Sequence, residues 1–130
     1  MHVGNFVKKL AFVITTPPSS NLTATAINMI TAAIKSNLNV IGVFFYQSGV
    51  LNGSEHLALP NDEYQAHLEW QKIHSDFDLP LHLCATAAEK HGLTDDINDQ
   101  KMTNINNAFT LSGLGELVEL NVNADHLIQL

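Results

Sequence analysis

The chain has 130 residues, 45% hydrophobic and 15% charged, the size and balance of a single folded domain with one core, which excludes a disordered chain. Thirteen acidic residues against six basic ones, all six of them lysines, give a formal net charge of −7 at neutral pH. Without arginine and with its lysines scattered, the chain lacks both the basic patch that neutralises nucleic-acid phosphates and the usual bidentate clamp for phosphate or carboxylate substrates.

Residues 1–9 read as an N-terminal extension to a domain of residues 10–130. Lys8 and Lys9 before an apolar run superficially suggest a signal peptide. The run is only about six residues, below the ~7–15 of a signal core, and Pro17-Pro18 stand where a small-residue cleavage site would be. No apolar run approaches the ~20 residues of a membrane span, so a cytoplasmic protein is expected.

Leu10 to Thr15, "LAFVIT", is a continuous β-rich run, as expected of a strand buried on both faces. After "TPPSSN", with Ser19, Ser20 or Asn21 as cap, the apolar residues Leu22, Ala26, Met29, Ile30, Ala33 and Ile34 fall on one helical face, and Asn37 is the stop. Residues 39–46 give a second buried strand, and residues 47–61 a long loop of the functional or interface-forming kind. Asn61 or Asp62 is expected to cap a helix with Ala66, Trp70, Ile73 and Phe77 inward and Tyr64 and Leu68 beside them. A third strand follows at 79–84, then a short alanine-rich helix that Gly92 ends. Thr94-Asp95-Asp96 opens a weaker helical stretch containing Ile97, Met102 and Ile105. The last part predicts a turn or short strand, a helix with Leu114, Leu117 and Val118 inward, and a strand at 126–130. Strands alternating with helices imply right-handed crossovers, hence a three-layer α/β/α fold with a mainly parallel sheet of four to five strands.

In such sheets reactive groups gather at the carboxyl ends of the strands. The chain's single cysteine, Cys84, lies at such an end, in "LHLCATAAEKHG" (residues 81–92). A lone cysteine is commonly a small apolar filler, because free cysteine is among the most buried residue types. At a strand-to-helix junction, however, the unsatisfied amides of the first helical turn favour thiolate over thiol. On the residues alone, filler and nucleophile both stand. His82, two residues earlier on the same strand face, could pair with the thiol, though i, i+2 neighbours are widely spaced for a direct hydrogen bond. The other histidines show no metal-ligand spacing, and one thiol cannot make an internal disulfide. "GLGELV" (113–118) has part of a dinucleotide fingerprint but lacks the third glycine and the βαβ unit that would follow. Gly113 and Gly115 are better read as permitting close packing or a tight turn.

Three segments, "VFFYQSGVLNG", "LHLCATAAEKHG" and above all "FTLSGLGELVEL", resemble the DsrE/TusD family of small sulfur-handling proteins. The matching positions include Phe44, Phe45, Tyr46, Gly49 and Val50, then Trp70, the cysteine junction and residues 109–115. The resemblance implies a DsrEFH-like α/β/α domain whose Cys84 carries sulfur as a persulfide, without metal or organic cofactor. It implies TusB-like and TusC-like sister subunits in a heterohexamer, a TusA-like donor and a TusE/DsrC-like acceptor, leading to 2-thiouridine at the tRNA wobble position. Sulfur oxidation of the DsrE type is the alternative within the same chemistry, and an interaction subunit with an inert, buried cysteine is the alternative outside it. The chain departs from the family pattern in having Glu89, Lys90 and His91 where arginine is frequent, which weakens any positive rim. His82 has no counterpart in the pattern and stays outside the expected site.

Overall fold

The structure, a computed structural model, describes residues 7–57, 59–95 and 104–130. Five strands form one wholly parallel sheet: β1 (Lys9–Ile14), β2 (Asn39–Phe45), β3 (Leu81–Cys84), β4 (Thr110–Ser112) and β5 (His126–Gln129), in the order β4-β3-β2-β1-β5. The helices are α1 (Asn21–Lys35), α2 (Ala66–Phe77), α3 (Ala85–Lys90) and α4 (Leu114–Asn123). The chain steps across the sheet in one direction from β1 to β4, so right-handed crossovers put α1, α2 and α3 on one face. The return from β4 to β5 runs the opposite way and puts α4 alone on the other face, which completes the three-layer α/β/α arrangement.

The strands are the continuous apolar runs expected of a sheet buried on both sides; Ala11, Phe12, Ile14, Val43, Phe44 and Phe45 are all nearly inaccessible. Phe45 stacks edge-on against Trp70 of α2 and Phe109, with ring centroids 4.9 and 5.2 Å apart. On the opposite face Leu120 of α4 lies directly over Gly42, where a side chain would displace it.

Two helix ends follow their sequence signals. Asn37 takes the left-handed conformation at φ 65° and closes α1, with Leu38 N–H donating to Ala33 C=O and Asn37 N–H to Ile34 C=O. Gly92, at φ 77°, ends α3 with the same pair of bonds, from Leu93 to Ala88 and from Gly92 to Glu89.

Several expectations are corrected. The buried face of α1 is Thr23, Ala26, Ile27, Ile30 and Ala33, so Leu22 and Met29 are exposed. The rotation follows from Thr23, whose hydroxyl donates to the Pro17 carbonyl at 2.7 Å and pins that side of the helix to the preceding loop. α2 begins at Ala66 with Gln65 as cap, because the Gln65 amide donates to the Pro60 and Glu63 carbonyls and closes a non-helical turn over Asn61 and Asp62. Phe77, at its far end, is exposed. In α4, Leu114 and Val118 are exposed together with Val122, and Leu120 is the buried residue. The stretch expected as a loop at 47–61 starts with a 3₁₀ helix, Gln47–Gly53. The weak helical stretch from Thr94 falls largely outside the described residues; its Ile105 pairs with Ser54 in an antiparallel bridge.

Asn52 holds the 3₁₀ helix in place. Its buried side chain accepts from the Trp70 indole N–H at 3.0 Å and donates to the carbonyls of Gly49 at 2.8 Å and Thr16 at 3.0 Å. Gly49 permits this close seat, since a Cβ there would run into the Ile14 carbonyl. Asn52→Ala should therefore destabilise the fold by about 3 kcal/mol, because it removes these bonds and orphans a buried indole N–H. Urea unfolding followed by tryptophan fluorescence measures this; an unchanged midpoint would show the amide to be dispensable.

Candidate functional site

Cys84 ends β3 and serves as the N-cap residue of α3, with extended backbone angles of φ −61° and ψ 117°. Its side chain is 1% exposed. It forms part of the wall of a cavity of about 370 Å³ together with Tyr46, Gln47, Thr86, Lys90, His91 and Leu114. Four separate segments meet at this point: the β2 end, the 3₁₀ helix start, α3 and the first residue of α4. Gln47 holds a left-handed φ of 52° at the rim, a conformation unusual for a residue with a side chain and typical of positions held by their surroundings.

Lys90 and His91 both line the Cys84 cavity, while Glu89 lies on a separate surface hollow with Gly92, Thr94 and Asp95. The three residues of "EKH" are thus divided between two hollows, Lys90 and His91 with Cys84 and Glu89 apart from it. Sequence order alone could not separate them.

His82 lies on the same strand as Cys84, but its ring is engaged elsewhere. Nδ1 is 2.9 Å from Ser112 Oγ and Nε2 is 3.5 Å from Glu116 Oε1. Burial pushes this imidazole below its ordinary value, against the opposing pull of the Glu116 carboxylate. The direct Cys–His pair considered from the sequence is replaced by a chain running from α4 through β3 to β4. Ser112, which the sequence reading did not single out, is the register partner of Cys84 in the β3–β4 ladder.

Gly113 and Gly115 have open space where side chains would project, so they neither permit close packing nor crowd a turn. Phe109, just before β4, is buried against Phe45. Leu114, Val118 and Val122 are exposed apolar residues at i, i+4 and i+8 along α4. Among the described residues no group of three potential metal ligands comes together, and no helix is long and apolar enough to cross a membrane.

The depressed imidazole makes stability depend on pH. Above about 6.5 His82 is neutral in both folded and unfolded chains; below it the unfolded chain binds the proton first, so stability falls as pH drops toward the folded value. Relative to wild type, His82→Asn should show a shallower loss of melting temperature on acidification across that window. Identical slopes for the two proteins would show that His82 is not responsible.

Comparison with known proteins agrees with this geometry. The sequence profile of the DsrE/DsrF-like family matches residues 8–130. The chain is 35% identical over 102 residues to a protein named sulfurtransferase TusD from Klebsiella pneumoniae, covering 75% of this chain and 80% of that one. It is 35% identical over 99 residues to a sulfurtransferase TusD homolog from Haemophilus influenzae, covering 75% and 79%. With TusD of Salmonella arizonae it shares 32% over 110 residues, covering 82% and 86%. The crystal structure of the ychN protein from E. coli superposes with a TM-score of 0.77 at 18% identity, covering 96% of this chain and all of that one, which establishes the shared fold. By a family match over nearly its whole length and by relatives identical at about a third of the aligned positions, the chain belongs to the DsrE/DsrF-like family.

Proposed function

We propose that this chain is the sulfur-carrying subunit of a cytoplasmic relay, a sulfurtransferase in which Cys84 accepts persulfide sulfur and passes it on. The observation that carries the reading is the placement of the single cysteine: at a strand's carboxyl end, on the wall of a cavity that also presents Lys90 and His91. The naming of the relatives as sulfurtransferases supports the same chemistry.

In the transfer, the Cys84 thiolate attacks the outer sulfur of a donor persulfide. A new S–S bond forms to Sγ, the donor's own S–S bond breaks, and the donor leaves as a thiolate. The outer sulfur keeps its proton or loses it to solvent, and no net oxidation occurs. The acceptor's thiolate then attacks the outer sulfur on Cys84 and returns the cysteine to its starting state. With one cysteine in the chain, no internal disulfide can intercept the persulfide, so each turnover needs another protein on either side. Burial of Sγ suits this role, since a covered sulfur is screened from the oxidants that carry exposed thiolates up the oxidation ladder.

On this reading the donor is TusA-like, the acceptor TusE/DsrC-like and the end product 2-thiouridine at the tRNA wobble position. The acidic chain meets proteins, and the tRNA is handled downstream. TusB-like and TusC-like sister subunits would complete a heterohexamer, and the apolar stripe Leu114, Val118 and Val122 is a surface that supports such docking.

The test is to mix the reduced protein with a persulfidated donor and weigh both intact. Wild type should gain the mass of one sulfur atom, lose it again when an acceptor thiol protein is added, and Cys84→Ser should gain none. If the donor loses sulfur while Cys84 remains a bare thiol, the carrier reading fails and the inert-cysteine alternative takes its place.

A further inference from the structure

Among the described residues three other than glycine hold a left-handed backbone: Asn37 at φ 65°, Asp78 at φ 53° and Gln47 at φ 52°. Asn37 and Asp78 stand at the ends of α1 and α2, where such a residue closes the helix, and their short polar side chains enter this region more readily than most. Gln47 follows a strand and carries a longer side chain, so its conformation costs stability. The turn is fixed on both sides of it by other groups. Tyr46 N–H donates to the Ile14 carbonyl at 3.0 Å, the Ser48 hydroxyl to the Thr15 carbonyl at 3.1 Å, and Gly49 N–H to the Tyr46 carbonyl at 2.9 Å. Glycine would take the same turn without strain. A side chain that the fold holds at a cost points to a use beyond the fold.

Position supplies that use. Cys84 and Ala87 are the buried floor of the thiol cavity, at 1% and 5% exposure, whereas the other residues that line it, Gln47 among them, are exposed and form its rim. Whatever brings sulfur to Cys84 through this cavity passes the rim first. A carboxamide offers one carbonyl acceptor and an NH₂ donor, the complement of what a peptide main chain presents. Resting on the carrier reading, we propose that Gln47 is a binding residue for the polypeptide on which the persulfide arrives. Its carboxamide hydrogen-bonds the main chain beside the persulfidated cysteine while that cysteine reaches down to Cys84. The transfer itself is unchanged: Cys84 Sγ bonds to the outer sulfur, the donor's S–S bond breaks, and the donor leaves as a thiolate.

Two donors separate recognition of a main chain from the chemistry of the thiol. One is a short peptide carrying a persulfidated cysteine; the other is the inorganic hydrogen disulfide ion, which gives the same persulfide on Cys84, departs as hydrosulfide and has no main chain. Gln47→Gly should melt about 3 °C above wild type as the strain is released. By intact mass it should take sulfur from the peptide roughly fivefold more slowly, the scale of one neutral hydrogen bond, and from hydrogen disulfide at the wild-type rate. Gln47→Ala keeps the strain and loses the carboxamide, so it should melt with wild type and show the same selective slowing. Equal rates from the peptide in wild type and Gln47→Gly overturn the proposal while leaving the carrier reading in place. A melting temperature lowered by Gln47→Gly overturns it too, since the side chain would then serve the fold. So does an equal slowing with both donors, the mark of a disturbed thiol. Wild type that takes sulfur from neither donor sinks the carrier reading itself, and this proposal with it.

Discussion

The buried amide of Asn52 is the interaction on which the arrangement around the thiol depends. An asparagine without accessible surface is tolerated only where its polar atoms find partners, and here each does: the indole of Trp70 on one side, two carbonyls on the other. Those partners belong to the loop after β1, the 3₁₀ helix and α2, so one side chain ties three segments across the top of the sheet. The 3₁₀ helix is packed against α2, α3 and β3, and Tyr46 and Gln47 at its start form part of the Cys84 cavity. The cover over the thiol is thus fixed by a hydrogen-bond network some distance along the chain, and a buried network that is fully satisfied holds one geometry better than apolar packing alone.

The second constraint is the handedness of the crossovers. Three helices on one face and one short helix on the other leave a thin layer beneath five strands, held close by the contact of Leu120 with Gly42. Because α4 has only the sheet to pack on, one side of it is buried and the other carries Leu114, Val118 and Val122 into solvent. The same helix brings Leu114 to the thiol cavity and Glu116 to His82. The head of the exposed apolar stripe, the cavity wall and the imidazole's partner therefore lie within three residues of one another at the start of α4.

Much of this was legible in the sequence, and the limits of legibility have physical causes. "LAFVIT" and "NVIGVFF" read as buried strands because a parallel sheet covered on both faces needs no alternation, and Asn37 and Gly92 read as helix ends because they tolerate positive φ. Periodicity located α1 and α4 and put Ala26, Ile30, Ala33 and Leu117 on the core side, but it also turned Leu22, Met29, Leu114 and Val118 inward, which are exposed. In α1 the deciding residue was a threonine, whose hydrogen bond to Pro17 outweighs the apolar stripe's preference. In α4 the apolar residues Leu114, Val118 and Val122 form an outward stripe, and apolar spacing alone does not tell a buried face from an exposed one. Cys84 was visible as the only thiol, at a strand end, and helix electrostatics alone left it balanced between filler and nucleophile until the family resemblance tipped the reading. The Glu116–His82–Ser112 chain was not visible at all, since it joins residues 34 positions apart through a strand register that no local pattern encodes.

A sulfur carrier faces a requirement that a self-contained enzyme does not: it must take sulfur readily and also give it up. Each 1.4 kcal/mol by which a site stabilises its loaded form slows release about tenfold unless the acceptor compensates. A permanent donor aimed at the sulfur, or a fixed positive charge in contact with it, would favour loading at the expense of delivery. The cavity that Cys84 lines is also lined by Lys90 and His91, and the hydroxyl of Ser112, its register partner, is bonded to an imidazole. Because Glu116 is 39% exposed on the helix that also bears the apolar stripe, it stands where the surroundings of α4 can reach it. The Glu116–His82–Ser112 chain therefore has one end at the surface beside the apolar stripe and the other on β4, the strand next to the one that carries Cys84.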